Sequence, residues 1–355
     1  MNSLRQRVGK LLFVGLEGKA ITPMERAWLR LIEPSGVILF RRNIEEIHQT
    51  RALLQDAQSL SSQPQFRCVD LEGGLVDRLR DLIAPMPAPA AVFATGKSRF
   101  YQRHGRLIGA EVRLAGFNMT LAPVLDLALP ASSAVMRTRV VAENPEHVAT
   151  YANAFLDGLA QEDVLGCGKH FPGLGGGTLD SHHAMPSIER TWPELWKNDL
   201  AVYRALAPRL PMVMVAHASY PQTQDTAPAS VSRFWIDSVL RKKIGFRGVV
   251  ISDDMEMGGI LTQRSIEDAA VEAVAAGTDV IEICKDPVLT LRAFEALLRE
   301  SERSATFLRR IEAAGRRIDT LRRKLPAATL DRRIPQDRIL RMRTVVQKFA
   351  EEIAR

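Results

Sequence analysis

The sequence predicts an α/β fold: a (β/α)8 barrel of TIM type in a single domain, with extra helices at the C-terminal end. Three observations predict it. Eight short β-branched runs alternate with segments of helical periodicity. The runs are apolar almost throughout rather than every second residue, the pattern of parallel strands covered on both faces. Ionisable residues fall at the C-terminal ends of five of them, where a barrel gathers its functional groups on one rim. A doubly wound open sheet is the other arrangement that this alternation allows.

In chain order the predicted strands are LLFVGL from Leu11, GVILF from Gly36, FRCVDLE from Phe66, MTLAPVLDL from Met119, VLGCGKHF from Val164, PMVMVAHAS from Pro211, GVVISDD from Gly248 and DVIEIC from Asp279. The helical segments between them carry start signals. PEHVATYANAFLDGLAQED has Pro145 at its first turn, and TWPELWKNDLAVYRALA and SIEDAAVEAVAAG open on Thr or Ser at a capping position. The polar strand ends are Asp70 and Glu72 on the third strand, Asp126 on the fourth, Lys169 and His170 on the fifth, His217 on the sixth, and Asp253 and Asp254 on the seventh. Together they predict a wet, functional barrel mouth.

The chain has 355 residues, 46% apolar and 25% charged, enough to bury a large core. The first apolar run is too short for a signal-peptide core, and no stretch reaches the roughly 18 apolar residues of a membrane span. Cys68, Cys167 and Cys284 are far apart and each sits in an apolar run, as reduced core thiols do, which points to a cytoplasmic protein. Residues 1–300 are expected to form the barrel and 301–355 a basic helical extension packed on it. The net charge of +7 comes largely from arginines of that end, including Arg309, Arg310, Arg316, Arg317, Arg322 and Arg323. They read as a solvated helix face, so no nucleic acid and no membrane is expected as a partner, and the protein is expected to act as a monomer.

Two constellations carry chemistry. The strand GVVIS delivers Asp253 to the rim, where a carboxylate can be a nucleophile, a metal ligand or an ion-pair partner. No HExxH or similar ligand pair accompanies it, so neither a metal nor any cofactor is expected. After the fifth strand comes GLGGGTLDSHHAMP, in which Asp180 stands two residues before His182. An aspartate so placed can fix the tautomer of the imidazole and raise its basicity, giving a group that moves protons at neutral pH. The glycines suggest a phosphate cradle, but a proline follows them and no helix, so no dipole stands behind the loop. They read instead as a hinge.

KHFPG with DSH eleven residues after its lysine, SDDMEM after an apolar strand, VDLEGG followed by an arginine, and APVLDL together resemble the NagZ-type β-N-acetylglucosaminidases (β-hexosaminidases) of glycoside hydrolase family 3, from about residue 10 to 285. The resemblance implies retaining hydrolysis of terminal β-linked N-acetylglucosamine, such as that of muropeptide fragments during peptidoglycan recycling. It implies Asp253 as nucleophile, His182 as acid/base and Asp180 as its orienting partner. It assigns the sugar to Asp70, Arg78, Arg139, Lys169 and His170. The chain departs from the family's usual residues at Leu71, Leu75, Asp77 and Leu174, and at RVV after Thr138. A β-N-acetylglucosaminide phosphorylase with the same residues and a non-catalytic amino-sugar-binding barrel are the alternatives.

Overall fold

The computed structural model describes residues 3–177, 185–327, 330 and 333–355. Each of the eight predicted runs contributes a strand, and a small hairpin adds two more. The strands are β1 (Leu12–Gly15), β2 (Gly36–Leu39), β3 (Phe66–Val69), β4 (Leu71–Gly73), β5 (Val76–Asp77), β6 (Met119–Thr120), β7 (Cys167–Phe171), β8 (Met212–Val215), β9 (Val249–Asp254) and β10 (Val280–Ile283). Eight of them form one parallel sheet in the order β6-β3-β2-β1-β10-β9-β8-β7. Parallel bridges at Met119–Leu165 and Val124–Lys169 bring the β6 and β7 edges together. The sheet therefore curls into the barrel and is not the open alternative.

β6 is the shortest barrel strand, although its run extends to Leu127. Pro123 has no N–H to give to a ladder, and regular pairing stops before it and resumes as the single bridge at Val124. The hairpin β4–β5 was not legible as a strand pair. It turns through Gly74 and Leu75, with φ of 95° at Gly73 and 63° at Gly74, values that suit glycine.

The outer helices follow their sequence signals. Asn144 caps Pro145–Gln161 by accepting from Glu146 N, and Ser265 caps Ile266–Ala276, which ends on Gly277 at φ 119°. The segment after Thr191 divides at Asn198 into Trp192–Lys197 and Asp199–Leu206. On the outer face of β7, Phe171 meets Tyr203 and Trp235 edge-on, with centroids 5.1 and 6.2 Å apart. Such pairs contribute roughly 0.5–1.5 kcal/mol each beyond their buried area. Among the described residues no helix is long and apolar enough to cross a membrane.

Helices Pro287–Arg303, Ala305–Arg322 and Gln336–Ala354 complete the described chain. Their basic residues are not all solvated: Arg317 pairs with the buried Asp279 at 2.8 Å, and Arg322 with Asp319 at 2.9 Å. The last helix buries Phe349 against Phe100 and His104 of the Ser98–Leu114 helix. The three cysteines are buried and free.

Candidate active site

The C-terminal ends of the barrel strands surround a cavity of about 180 Å³. Six of the eight residues picked out from the sequence line it: Asp70, Arg78, Arg139, Lys169, His170 and Asp253. The other two, Asp180 and His182, lie outside the described residues.

One wall starts at β3. Asp70 follows that strand, and the hairpin folds the chain back so that Arg78 N donates to Asp70 O at 3.3 Å. The Arg78 guanidinium then stands 4.0 Å from the Asp70 carboxylate. Within the hairpin Glu72 is fully buried, and Arg139 clasps it with Nε and Nη2, both at 2.8 Å. Lys169 reaches across from β7 to Glu72 at 2.7 Å and to Asp70 at 2.9 Å. Burial alone would raise the Glu72 carboxyl, yet Arg139 and Lys169 outweigh it and hold the group well below the usual carboxylate range. Burial would likewise lower the Lys169 ammonium, but Asp70 and Glu72 bring it above its ordinary value. Two acids and two cations thus form one network, buried at Glu72 and Lys169 and half-buried at Asp70 and Arg139, with Arg78 at its edge.

Asp126 does not reach the cavity and supports it from behind. Its Oδ2 is 2.6 Å from His170 Nδ1, and its Oδ1 accepts from Leu174 N at 2.7 Å. A carboxylate only accepts, so Nδ1 carries the proton and the ring is fixed in orientation. His217 is also a support rather than a lining residue: Nε2 donates to Asp254 O at 3.1 Å, and Nδ1 accepts from Ser230 Oγ at 2.7 Å. Burial keeps it below its ordinary value, in spite of Asp253 nearby.

β9 presents two neighbouring acids in different settings. Asp254 Oδ1 accepts from Glu256 N at 3.0 Å and Cys284 N at 3.3 Å, tying β9 to β10. Asp253 Oδ1 accepts only from Asp254 N, at 2.9 Å, among the described residues. Burial raises the Asp253 carboxyl, but His170, His217, the Asp254 N–H and Lys169 together bring it below its ordinary value. Asp254 moves the opposite way, to about 7, chiefly by burial and then by Glu256 and Asp253.

That difference has a consequence for stability. Asp254 ionises at about 7 in the folded chain and near 3.8 in the unfolded one. The unfolded state therefore releases its proton first, and stability from this group falls as pH rises from about 4 to about 7. Asp254→Asn removes that loss. The melting temperature of the variant relative to wild type should rise over this window and level off above it, an effect of roughly 1–3 kcal/mol.

The glycine run is packed, not loose. Gly173 has φ 144°, and a Cβ there would sit 2.6 Å from Asp199 Oδ1. A Cβ on Gly175 would meet Leu127 O at 2.6 Å, on Gly176 the Arg190 side chain at 2.9 Å, and on Gly177 Ile188 at 2.9 Å. In the described residues close approach thus accounts for these glycines where a hinge was expected. Both ends of the loop are tied: Tyr220 OH donates to Gly173 O at 3.0 Å, and Pro186 and Ile188 pair with Ser219.

Residues 3–321 match the family described as "Glycosyl hydrolase family 3 N terminal domain". The chain belongs to glycoside hydrolase family 3. A β-hexosaminidase of Bordetella avium (strain 197N) is 35% identical over 324 residues, 89% of this chain and 88% of that protein. Native NagZ from Neisseria gonorrhoeae superposes with a TM-score of 0.73 at 31% identity, over 86% of this chain and 97% of that one. A family 3 β-N-acetylglucosaminidase from Paenibacillus sp. str. FPU-7 gives 0.89 at 29% identity, over 98% of this chain and 69% of that one.

Sequence reading underrated two members of this family 3 site. Glu72 was visible as a strand-end acid, but the hairpin that buries it between Arg139 and Lys169 was not. Glu282, inside the apolar run DVIEIC, lines the cavity and was passed over. An acid in the middle of a parallel strand was the available signal.

Proposed function

We propose that this exo-β-N-acetylglucosaminidase, a glycoside hydrolase of β-N-acetylhexosaminidase type, acts with retention through Asp253 as nucleophile and His182 as acid/base, with Asp180 orienting the imidazole. The reading rests on the division between the two acids of β9. Both line the cavity, but Asp254 is spent on backbone N–H groups of Glu256 and Cys284 and is raised by burial, whereas Asp253 accepts from a single N–H among the described residues and is held below its ordinary value.

In the first step the Asp253 carboxylate attacks the anomeric carbon. The glycosidic C–O bond breaks, and its electron pair stays on the leaving oxygen, which takes a proton from the His182 imidazolium. Water then attacks the glycosyl ester, gives a proton to the neutral imidazole and releases Asp253, so that two inversions yield retention. Asp70, Arg78, Arg139, Lys169 and His170 supply donors and acceptors for the sugar hydroxyls and the acetamide. The barrel interior closes the cavity from below, which suits a terminal sugar and so exo action.

The substrate in this reading is the terminal N-acetylglucosamine of peptidoglycan fragments, handled in the cytoplasm by a monomer. The free cysteines agree with that compartment. Residues 1–300 serve as the catalytic barrel and 301–355 as its helical extension. Incubation with a 2-fluoro or 5-fluoro N-acetylglucosaminyl donor should give one covalent adduct, mapped by mass spectrometry to Asp253, and turnover should not depend on phosphate. A label on Asp254, or clear turnover with no label, refutes the assignment.

A further inference from the structure

A (β/α)8 barrel fills its interior with layers of four side chains drawn from alternate strands. At the floor of the cavity that layer consists of Ile38 on β2, Leu121 just after β6, Met214 on β8 and Glu282 on β10. The pairings agree: on β1 the register advances from Phe13, opposite Glu282, to Gly15, opposite Ile38. That is the two-residue step per alternate strand that a shear of eight requires. Three members are apolar, as the rule expects, and one is a carboxylic acid.

Glu282 is 2% exposed, and its Oε1 has no hydrogen-bond partner among the described residues. Its backbone is fully used: the N–H donates to Ser252 Oγ at 3.0 Å, and the carbonyl O accepts from Met255 N at 2.9 Å. A buried carboxyl left without a partner is costly, and leucine or methionine would fill the layer without that cost. Lys169, the cation across the cavity, is already committed to Asp70 and Glu72.

We propose that Glu282 contacts the substrate, exchanging hydrogen bonds with a hydroxyl of the terminal sugar at the cavity floor and helping to set which sugar the pocket accepts. This rests on the glycosidase reading above. Burial, with Asp254, Asp70 and Asp253 adding to it and Lys169 opposing, holds the group well above the usual carboxyl range. Burial thus favours the protonated form, which has one O–H to donate and a carbonyl oxygen to accept, the pair of functions that a sugar hydroxyl matches.

The test compares wild type, Glu282→Gln and Glu282→Leu on 4-nitrophenyl β-N-acetylglucosaminide and its 3-, 4- and 6-deoxy analogues. Glu282→Leu should raise KM for the parent about tenfold with kcat changed less than threefold, and Glu282→Gln, which keeps a donor and an acceptor, should restore KM to within about threefold. One deoxy analogue should be penalised in wild type but carry no further penalty in Glu282→Leu, the non-additivity of groups in contact. A KM for Glu282→Leu within twofold of wild type, or undiminished penalties for all three analogues, overturns the proposal. Glu282→Leu should melt at or above the wild-type temperature, and if it does not fold, Glu282→Met carries the same comparison. Failure of wild type to turn over the parent glycoside would refute the glycosidase reading instead.

Discussion

Asp253→Asn lowers kcat on 4-nitrophenyl β-N-acetylglucosaminide by on the order of 10⁴-fold or more, while its circular dichroism and melting temperature stay close to wild type. The substitution keeps the shape, and the amide oxygen can still accept from Asp254 N. It removes the anion that attacks the anomeric carbon, and a neutral amide is a poor substitute. The groups assigned to the sugar remain in place, so KM should change by less than about tenfold. The neighbouring acid is the control. Asp254 is bonded to the N–H groups of Glu256 and Cys284, and asparagine retains an oxygen to accept them. Asp254→Asn should therefore keep kcat within about tenfold of wild type. If it loses more than Asp253→Asn, the roles on β9 are reversed.

What sequence could reveal divides along a physical line. The barrel was legible because parallel strands buried on both faces must be apolar throughout, and LLFVGL and GVILF have no other comfortable use. The rim was legible because a charge ending such a run, as in GKHF or ISDD, sits where the barrel opens. Pairings between distant segments were not. Nothing in VDLEGG or in the stretch around Arg139 announces that these residues meet, since that depends on a hairpin whose strands are three and two residues long. The glycine run misled for a related reason: bare backbone signals either freedom or close approach, and only Leu127, Arg190 and Ile188 pressed against it decide between them. Glu282 hid inside its own strand, where the apolar context masked it.

The largest effect on stability is expected at Glu72. Glu72→Gln leaves the hairpin its shape but deprives Arg139 of its bidentate partner and Lys169 of one of two. Lys169 is buried and Arg139 half-buried, and leaving such charges uncompensated costs about 3–5 kcal/mol, so the melting temperature at pH 7 should fall by roughly 4–7 °C. The same cations face the sugar, and kcat/KM should fall by about a hundredfold as they lose their fixed positions. The pH dependence separates this from a simple packing defect. Glu72 is held well below its ordinary value of 4.5, so its contribution is complete above that value. It declines as pH falls below 4.5 and is gone once the depressed folded value is reached. The gap in melting temperature between wild type and variant should therefore be constant from pH 5 to 7 and narrow steadily below about 4.5. A gap that stays the same on acidification would mean that the carboxylate's charge is not what holds this wall of the cavity together.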